Sequence, residues 1–285
     1  MHGLFFNRVT ILGVGLLGAS FARALREGKL CRIISGYGRS VENLMRAKER
    51  GILDDYSPDA REACADSDLI VLATPVGAFK GILQTLGSTI KKGSLVTDVG
   101  SVKGPLVYAL ESLMPEGVHY IGSHPIAGSD KSGFDEARAD LFRNAKCIIT
   151  PTENSNADAV RKVAALWESF GSRVERMDPH THDGIYAAVS HLPHLVAYAL
   201  VNTVGDIDEG HVSYAGSGFK DSTRIALSSP ALWRDVALLN RENLIRDLGL
   251  FRKNLDEMEE LLKASDAGGI EKVFMKARTL RGKIK

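Results

Sequence analysis

The chain has 285 residues, and its 36 Lys and Arg nearly cancel its 35 Asp and Glu, for a formal net charge of +1. That length suits two domains better than one core. Such a balance also excludes the broad field that would gather nucleic acid or an anionic membrane, which leaves a small-molecule partner as the expectation.

The N-terminal MHGLFFNRVTILGVG enters a strand pattern without a basic region or a cleavage site, and no apolar run approaches ~20 residues, so neither secretion nor membrane spanning is expected. From Arg8 to about Arg176, β-branched runs alternate with amphipathic stretches. RVTILGVG, CRIISGY, SDLIVLATP, GSLVTDVG, VHYIGSHP, AKCIITP and SRVERM are the predicted strands. LLGASFARALREGK, SVENLMRAKERG, GAFKGILQTLGSTI and ADAVRKVAALWESFG are the predicted helices between them. This alternation predicts an α/β fold, a mainly parallel sheet with helices on both faces. After Met177 only 3.6-residue periodicity remains, which predicts a second, all-helical C-terminal domain and a division into 1–177 and 178–285. Its long helices carry Leu244, Leu248, Phe251, Leu255, Met258 and Leu262 as one apolar stripe, for which a partner subunit is a candidate cover. The three cysteines, Cys31, Cys64 and Cys147, are far apart in apolar segments and are expected to be reduced, buried thiols in a cytoplasmic protein.

Gly13, Val14, Gly15, Leu16, Leu17 and Gly18 spell G-x-G-x-x-G between the first strand and the first helix. Each glycine has a use there: a tight turn, room for a pyrophosphate against the backbone, and close helix packing. The anion would sit on free N–H groups at a helix start. Near the end of the second strand, Gly38, Arg39 and Ser40 stand where a carboxylate usually binds the ribose of NAD. A cation and a hydroxyl there suit a 2′-phosphate, but Arg39 can also be a solvated side chain with Ser40 as the next helix cap. The cofactor is NAD or NADP. Thr74 and Pro75 close the crevice edge at a later strand end.

Three segments, DVGSVK at Asp98 to Lys103, SHPIAGSDKSG at Ser123 to Gly133 and SHLPH at Ser190 to His194, together resemble the prephenate and arogenate dehydrogenases of tyrosine biosynthesis. The resemblance implies an N-terminal Rossmann-type domain and a helical domain that binds substrate and forms a homodimer. It also implies NAD(P)-dependent oxidative decarboxylation of prephenate to 4-hydroxyphenylpyruvate or of arogenate to tyrosine. Within it, His124 is the catalytic histidine at the ring hydroxyl, and Ser101 bonds both it and the substrate. His191 and His194 lie near the substrate side chain, Arg224 holds a carboxylate, and Asp130 stands where relatives can carry glutamate. No fused mutase or regulatory domain fits after the helical segment.

The residues suit that chemistry. Hydride loss from ring C4 needs alignment and a neutral group that draws off positive charge from the hydroxyl, for which imidazole is apt and no metal is needed. Small neighbours, Gly122, Ser123, Ala127, Gly128 and Ser129, leave room around His124, and Pro125 restrains it. Ser101 can also cap a helix ahead of Val102 and Lys103. Pro193 is expected to bend the helix bearing His191 and His194 and to free the Val189 carbonyl. Trp233 reads as packing. Three other readings stay open on residues alone: a 3-hydroxyacid or imine-type dehydrogenase, a non-catalytic NAD(P)-sensing module, and a zinc site among His180, His182, His191 and His194.

Overall fold

Each run expected to be a strand is one in the computed structural model, which describes residues 5–128 and 133–284. They are β1 (Phe6–Leu12), β2 (Cys31–Tyr37), β4 (Leu69–Leu72), β5 (Leu95–Asp98), β6 (His119–Pro125), β7 (Lys146–Thr150) and β8 (Arg173–Arg176). A short polar strand, β3 (Asp55–Ser57), has no counterpart among the expected runs, because three residues carry no readable alternation. The sheet order is β3-β2-β1-β4-β5-β6-β7-β8. Strands from β3 to β6 pair in parallel, and β7 returns antiparallel to β6 before pairing in parallel with β8. The link from β6 to β7 carries only a 3-10 turn (Phe134–Glu136) among the described residues. Without a crossover helix in that link, the next strand can lie antiparallel.

Six helices belong to this part: α1 (Leu16–Glu27), α2 (Val41–Glu49), α3 (Ala60–Cys64), α4 (Phe79–Leu86), α5 (Gly104–Glu111) and α6 (Ala157–Ser169). One face of the sheet holds an aromatic cluster in which Trp167 of α6 meets Phe21 of α1 and Phe142 edge-on, at ring separations of 5.3 and 5.1 Å. The other face packs Phe79, Leu83, Leu86, Val107 and Leu110 of α4 and α5. Both sides of β4 are therefore buried, as its unbroken LIVL run requires.

Beyond Met177 the described chain is helical: α7 (Pro179–Tyr186), a π turn (Ala187–His191), α8 (Leu192–Ile207), α9 (Ser217–Thr223), α10 (Pro230–Leu239), α11 (Arg241–Lys263) and α12 (Ala267–Arg281). By packing, the chain forms two compact units, Met1–Asn240 and Arg241–Lys285, a division later than the change of texture in the sequence. In the second unit the apolar stripe runs from buried Leu244 through half-buried Leu248, Phe251 and Met258 to the exposed Leu255 and Leu262, at 45% and 67%. The stretch 179–207 is long and apolar enough to cross a membrane by length and composition. It nevertheless carries His182, Asp183 and His191, all buried and hydrogen-bonded inside the first unit.

Candidate active site

Four parallel strands, β1, β4, β5 and β6, end on one edge of the sheet, and the order reverses between β1 and β4. Ligand crevices of open α/β sheets lie at that place. The β1–α1 turn forms its floor. Gly13 has a φ of +104°, and a Cβ on it would lie 2.6 Å from the backbone of Ala73 and Thr74. A Cβ on Gly18 would lie 2.1 Å from the Gly13 carbonyl oxygen, whereas a Cβ on Gly15 would meet nothing within 4 Å. So two glycines serve close packing and the third leaves open space over the start of α1. That start has no side-chain cap and no acidic residue in its first turn, which leaves N–H groups available to an anion. Leu16 and Leu17 open the helix beside Val14, all three half-buried. Thr74 Oγ1, at the end of β4, is buried without a hydrogen-bond partner. An open glycine, uncapped amides and an orphaned hydroxyl fit a dinucleotide. Arg39 and Ser40 are exposed after Gly38 at the end of β2, and Ser40 accepts a hydrogen bond from Asn43 N–H as the cap of α2.

The DVGSVK loop is held by its own charged ends. Lys103 and Asp98 are fully buried and paired through Lys103 Nζ and Asp98 Oδ2. Lys103 Nζ also donates to the Gly100 carbonyl at 2.8 Å, and Asp98 accepts from Tyr120 Oη, Ser123 N–H and Gly100 N–H at 2.8, 3.0 and 2.9 Å. With nearly every site on the carboxylate taken, this pair is a clamp that joins the ends of β5 and β6. Ser101 bends at the clamp's tip, half-buried. It does not cap a helix: α5 starts at Gly104, and the N–H of Lys103 donates instead to Asp183 Oδ1 at 2.7 Å.

His124 sits at the end of β6 with Nδ1 2.8 Å from His182 Nε2. Ser101 makes no hydrogen bond to it among the described residues, contrary to the bond that the resemblance implies. His182 Nδ1 in turn meets Asp183 Oδ1 at 2.8 Å. Tyr186 lies against both rings, at 4.9 Å from that of His124 and 4.5 Å from that of His182. Burial first, and then the neighbouring His182, Lys103 and His191 side chains, hold the His124 pKa well below the usual histidine value. The ring is therefore a neutral acceptor at physiological pH.

Just before Pro193 the helical hydrogen bonding changes to a π turn at 187–191, and α8 follows with Pro193 in its first turn. His191, at the end of that turn, is in the interior, where Nδ1 meets Asn240 Nδ2 at 3.1 Å and Nε2 has no partner. His191 lies beside the Ser101 backbone, and burial lowers its pKa to about 4. His194 donates from Nδ1 to the Ser190 carbonyl at 2.9 Å and stacks on Trp233. Arg224, exposed at the start of a 3-10 turn (Arg224–Leu227), lies close enough to His194 to depress its pKa, though burial does more. Asp130 and Ser129 lie outside the described residues. Among the described residues no group of three or more His, Cys, Asp or Glu side chains is arranged to hold a metal ion.

Known proteins match along the whole of this arrangement. The nucleotide-binding domain of prephenate dehydrogenase matches residues 21–176, and the dimerization domain of prephenate dehydrogenase matches residues 178–276. The chain belongs to the prephenate dehydrogenase family. Cyclohexadienyl dehydrogenase of Zymomonas mobilis is 31% identical over 98% of this chain and 97% of its own. The A. aeolicus prephenate dehydrogenase structure with hydroxyphenyl propionate and NAD+ superposes with a TM-score of 0.90 at 36% identity, covering 98% of each chain. Synechocystis arogenate dehydrogenase gives 0.80 at 29% identity over 98% of this chain and 100% of that one.

Against this prephenate dehydrogenase fold, reasoning from sequence missed the Asp183–His182 pair, the Asp98–Lys103 clamp and the ring of Trp233 beside His194. HTHD at a helix start was the one available signal for the first. The clamp lies within the quoted DVGSVK segment but shows in no periodicity, and the Trp233 contact joins two helices far apart in sequence.

Proposed function

We propose that His124, held at the strand ends by the clamp and by His182, is the group that meets the ring hydroxyl, with Ser101 beside the substrate. The chain is an NAD(P)-dependent dehydrogenase that oxidatively decarboxylates prephenate or arogenate, and the observation that carries the site assignment is the His124 imidazole at the end of β6, on the same strand-end edge as the β1–α1 glycine turn and bonded to His182 Nε2. When bound, the nicotinamide supplies the acceptor for the hydride that leaves ring C4. His124 accepts the hydrogen bond of the C4 hydroxyl and draws off positive charge as that hydride departs. The C1–carboxylate bond then breaks, its electron pair completes the aromatic ring, and carbon dioxide leaves. Gly13, Gly15 and Gly18 with Val14, Leu16 and Leu17 hold the pyrophosphate. Thr74 and Pro75 line the ribose, and Gly38, Arg39 and Ser40 receive the adenosine end. Arg39 with no carboxylate in that turn supports acceptance of a 2′-phosphate, so NADP is used as well as NAD.

His191, His194 and Arg224 form the substrate-binding side, with Arg224 pairing a carboxylate as guanidinium does best. Asp130, which the family resemblance assigns to substrate binding, lies outside the described residues. Residues 1–177 serve the cofactor, while 178–285 serve the substrate and a homodimer, supported by the family's dimerization domain and by the exposed Leu255 and Leu262 on α11. The three unpaired thiols support a cytoplasmic location. The test is absorbance at 340 nm with prephenate or arogenate and either coenzyme. A rise with at least one substrate is expected, and silence in all four mixtures rejects the reading. Arg39→Ala is expected to raise KM for NADP several-fold more than KM for NAD.

A further inference from the structure

Two residues outside the reacting set stand behind His124. Asp183 is 2% exposed, and its Oδ1 accepts from the Lys103 N–H at 2.7 Å and from His182 Nδ1 at 2.8 Å. It is admitted to the start of α5 by Gly104, where a Cβ would lie 2.5 Å from Oδ2, and Asn240 Nδ2 holds its backbone carbonyl at 2.9 Å. Asp183 Oδ1 is already an acceptor toward the Lys103 N–H, so the hydrogen it shares with His182 is on His182 Nδ1. His182 is fully buried, and burial keeps its ring neutral, which leaves Nε2 as a bare acceptor. That atom faces His124 Nδ1 at 2.8 Å, where two bare nitrogens would repel, so His124 carries its hydrogen on Nδ1.

We propose that Asp183 and His182 are positioning residues, a relay that selects the His124 tautomer with its lone pair on Nε2, the nitrogen that meets the substrate hydroxyl. The proposal rests on the reading of His124 given above and extends it. Without the relay, the ring is free to carry its hydrogen on Nε2, which offers the hydroxyl a donor where it needs an acceptor.

Long-range 15N–1H NMR of histidine-labelled protein at pH 7.5, without substrate or coenzyme, reads the tautomer directly. The expected wild-type signal for His124 is a protonated Nδ1 and a bare Nε2. His182→Phe keeps an aromatic ring but removes the acceptor: hydrogen on His124 Nε2 is expected, with kcat lower by roughly tenfold to a hundredfold and substrate KM within about twofold. His182→Gln restores a carbonyl acceptor and is expected to recover most of that kcat. A wild-type His124 with hydrogen on Nε2 overturns the proposal, as does an unchanged kcat in a folded His182→Phe enzyme. If that variant fails to fold, the wild-type spectrum decides alone. Wild-type protein with the expected tautomer but no turnover on either substrate would reject the functional reading and leave the relay standing.

Discussion

In the proposed site the two nitrogens of the His124 ring have separate tasks: Nδ1 meets His182 Nε2, and Nε2 is assigned to the substrate. Replacing the ring with an amide in His124→Asn is expected to lower kcat by roughly 10²- to 10⁴-fold in steady-state assays, with a small change in KM. Because burial lowers the His124 pKa, the neutral form persists below the usual histidine range, and kcat/KM is expected to hold down to a pH well under 6.5. Stability responds to the same burial with the opposite consequence. His191 titrates at about 4 when folded and near 6.5 when unfolded, so between those values the unfolded chain binds a proton that the folded chain refuses. Stability therefore falls as pH drops from about 6.5 to 4, by about 3 kcal/mol at this residue. Urea unfolding at pH 7.5 and 4.5 should show a smaller pH-dependent loss in His191→Gln than in wild type. The His191 and His194 pair was legible from SHLPH. Which of the two lies fully inside was not, because three-residue spacing puts both on one helix face, and both rings do meet Trp233, His191 buried and His194 half-buried.

For the elements, the β1–α1 turn separates packing from binding. Gly18→Ala is expected to destabilise the fold, since its methyl group would collide with the Gly13 carbonyl. Gly15→Ala has space for its methyl group and should leave Tm within a few degrees, while coenzyme affinity measured by fluorescence titration falls at least tenfold. The motif itself was readable because its glycines are contiguous with a strand and a helix. The start of α5 was not readable. A serine just upstream looked like a local cap, yet the N–H of Lys103 is taken by Asp183, a residue 80 positions away on α7. Lys103 at the same time turns its amino group back to Asp98. In Lys103→Met the Asp98 carboxylate stays buried without its cation, a loss of about 3–5 kcal/mol that should be visible in chemical denaturation.

On the scale of the whole molecule, α11 exposes Leu255 and Leu262 while the sheet-bearing unit is well filled. Light scattering is expected to give twice the mass of the 30.9 kDa chain. The double variant Leu255→Glu with Leu262→Glu should shift that mass toward the single chain, because charge on the stripe cannot be desolvated against a second copy. A monomeric wild type would remove the dimer from the functional reading.

Alternating β-branched runs and 3.6-residue stretches determined the α/β sheet, the helical remainder and the glycine turn, because each is a local periodicity written in adjacent residues. The same sequence also marked His124 and Ser101 by their loops. Tertiary structure alone decided that β7 runs antiparallel, that a buried Lys–Asp pair joins two strand ends, and that a histidine and an aspartate from α7 stand behind His124. Those outcomes depend on which distant elements meet and on which buried polar atoms each must satisfy, and neither has a signature in neighbouring residues.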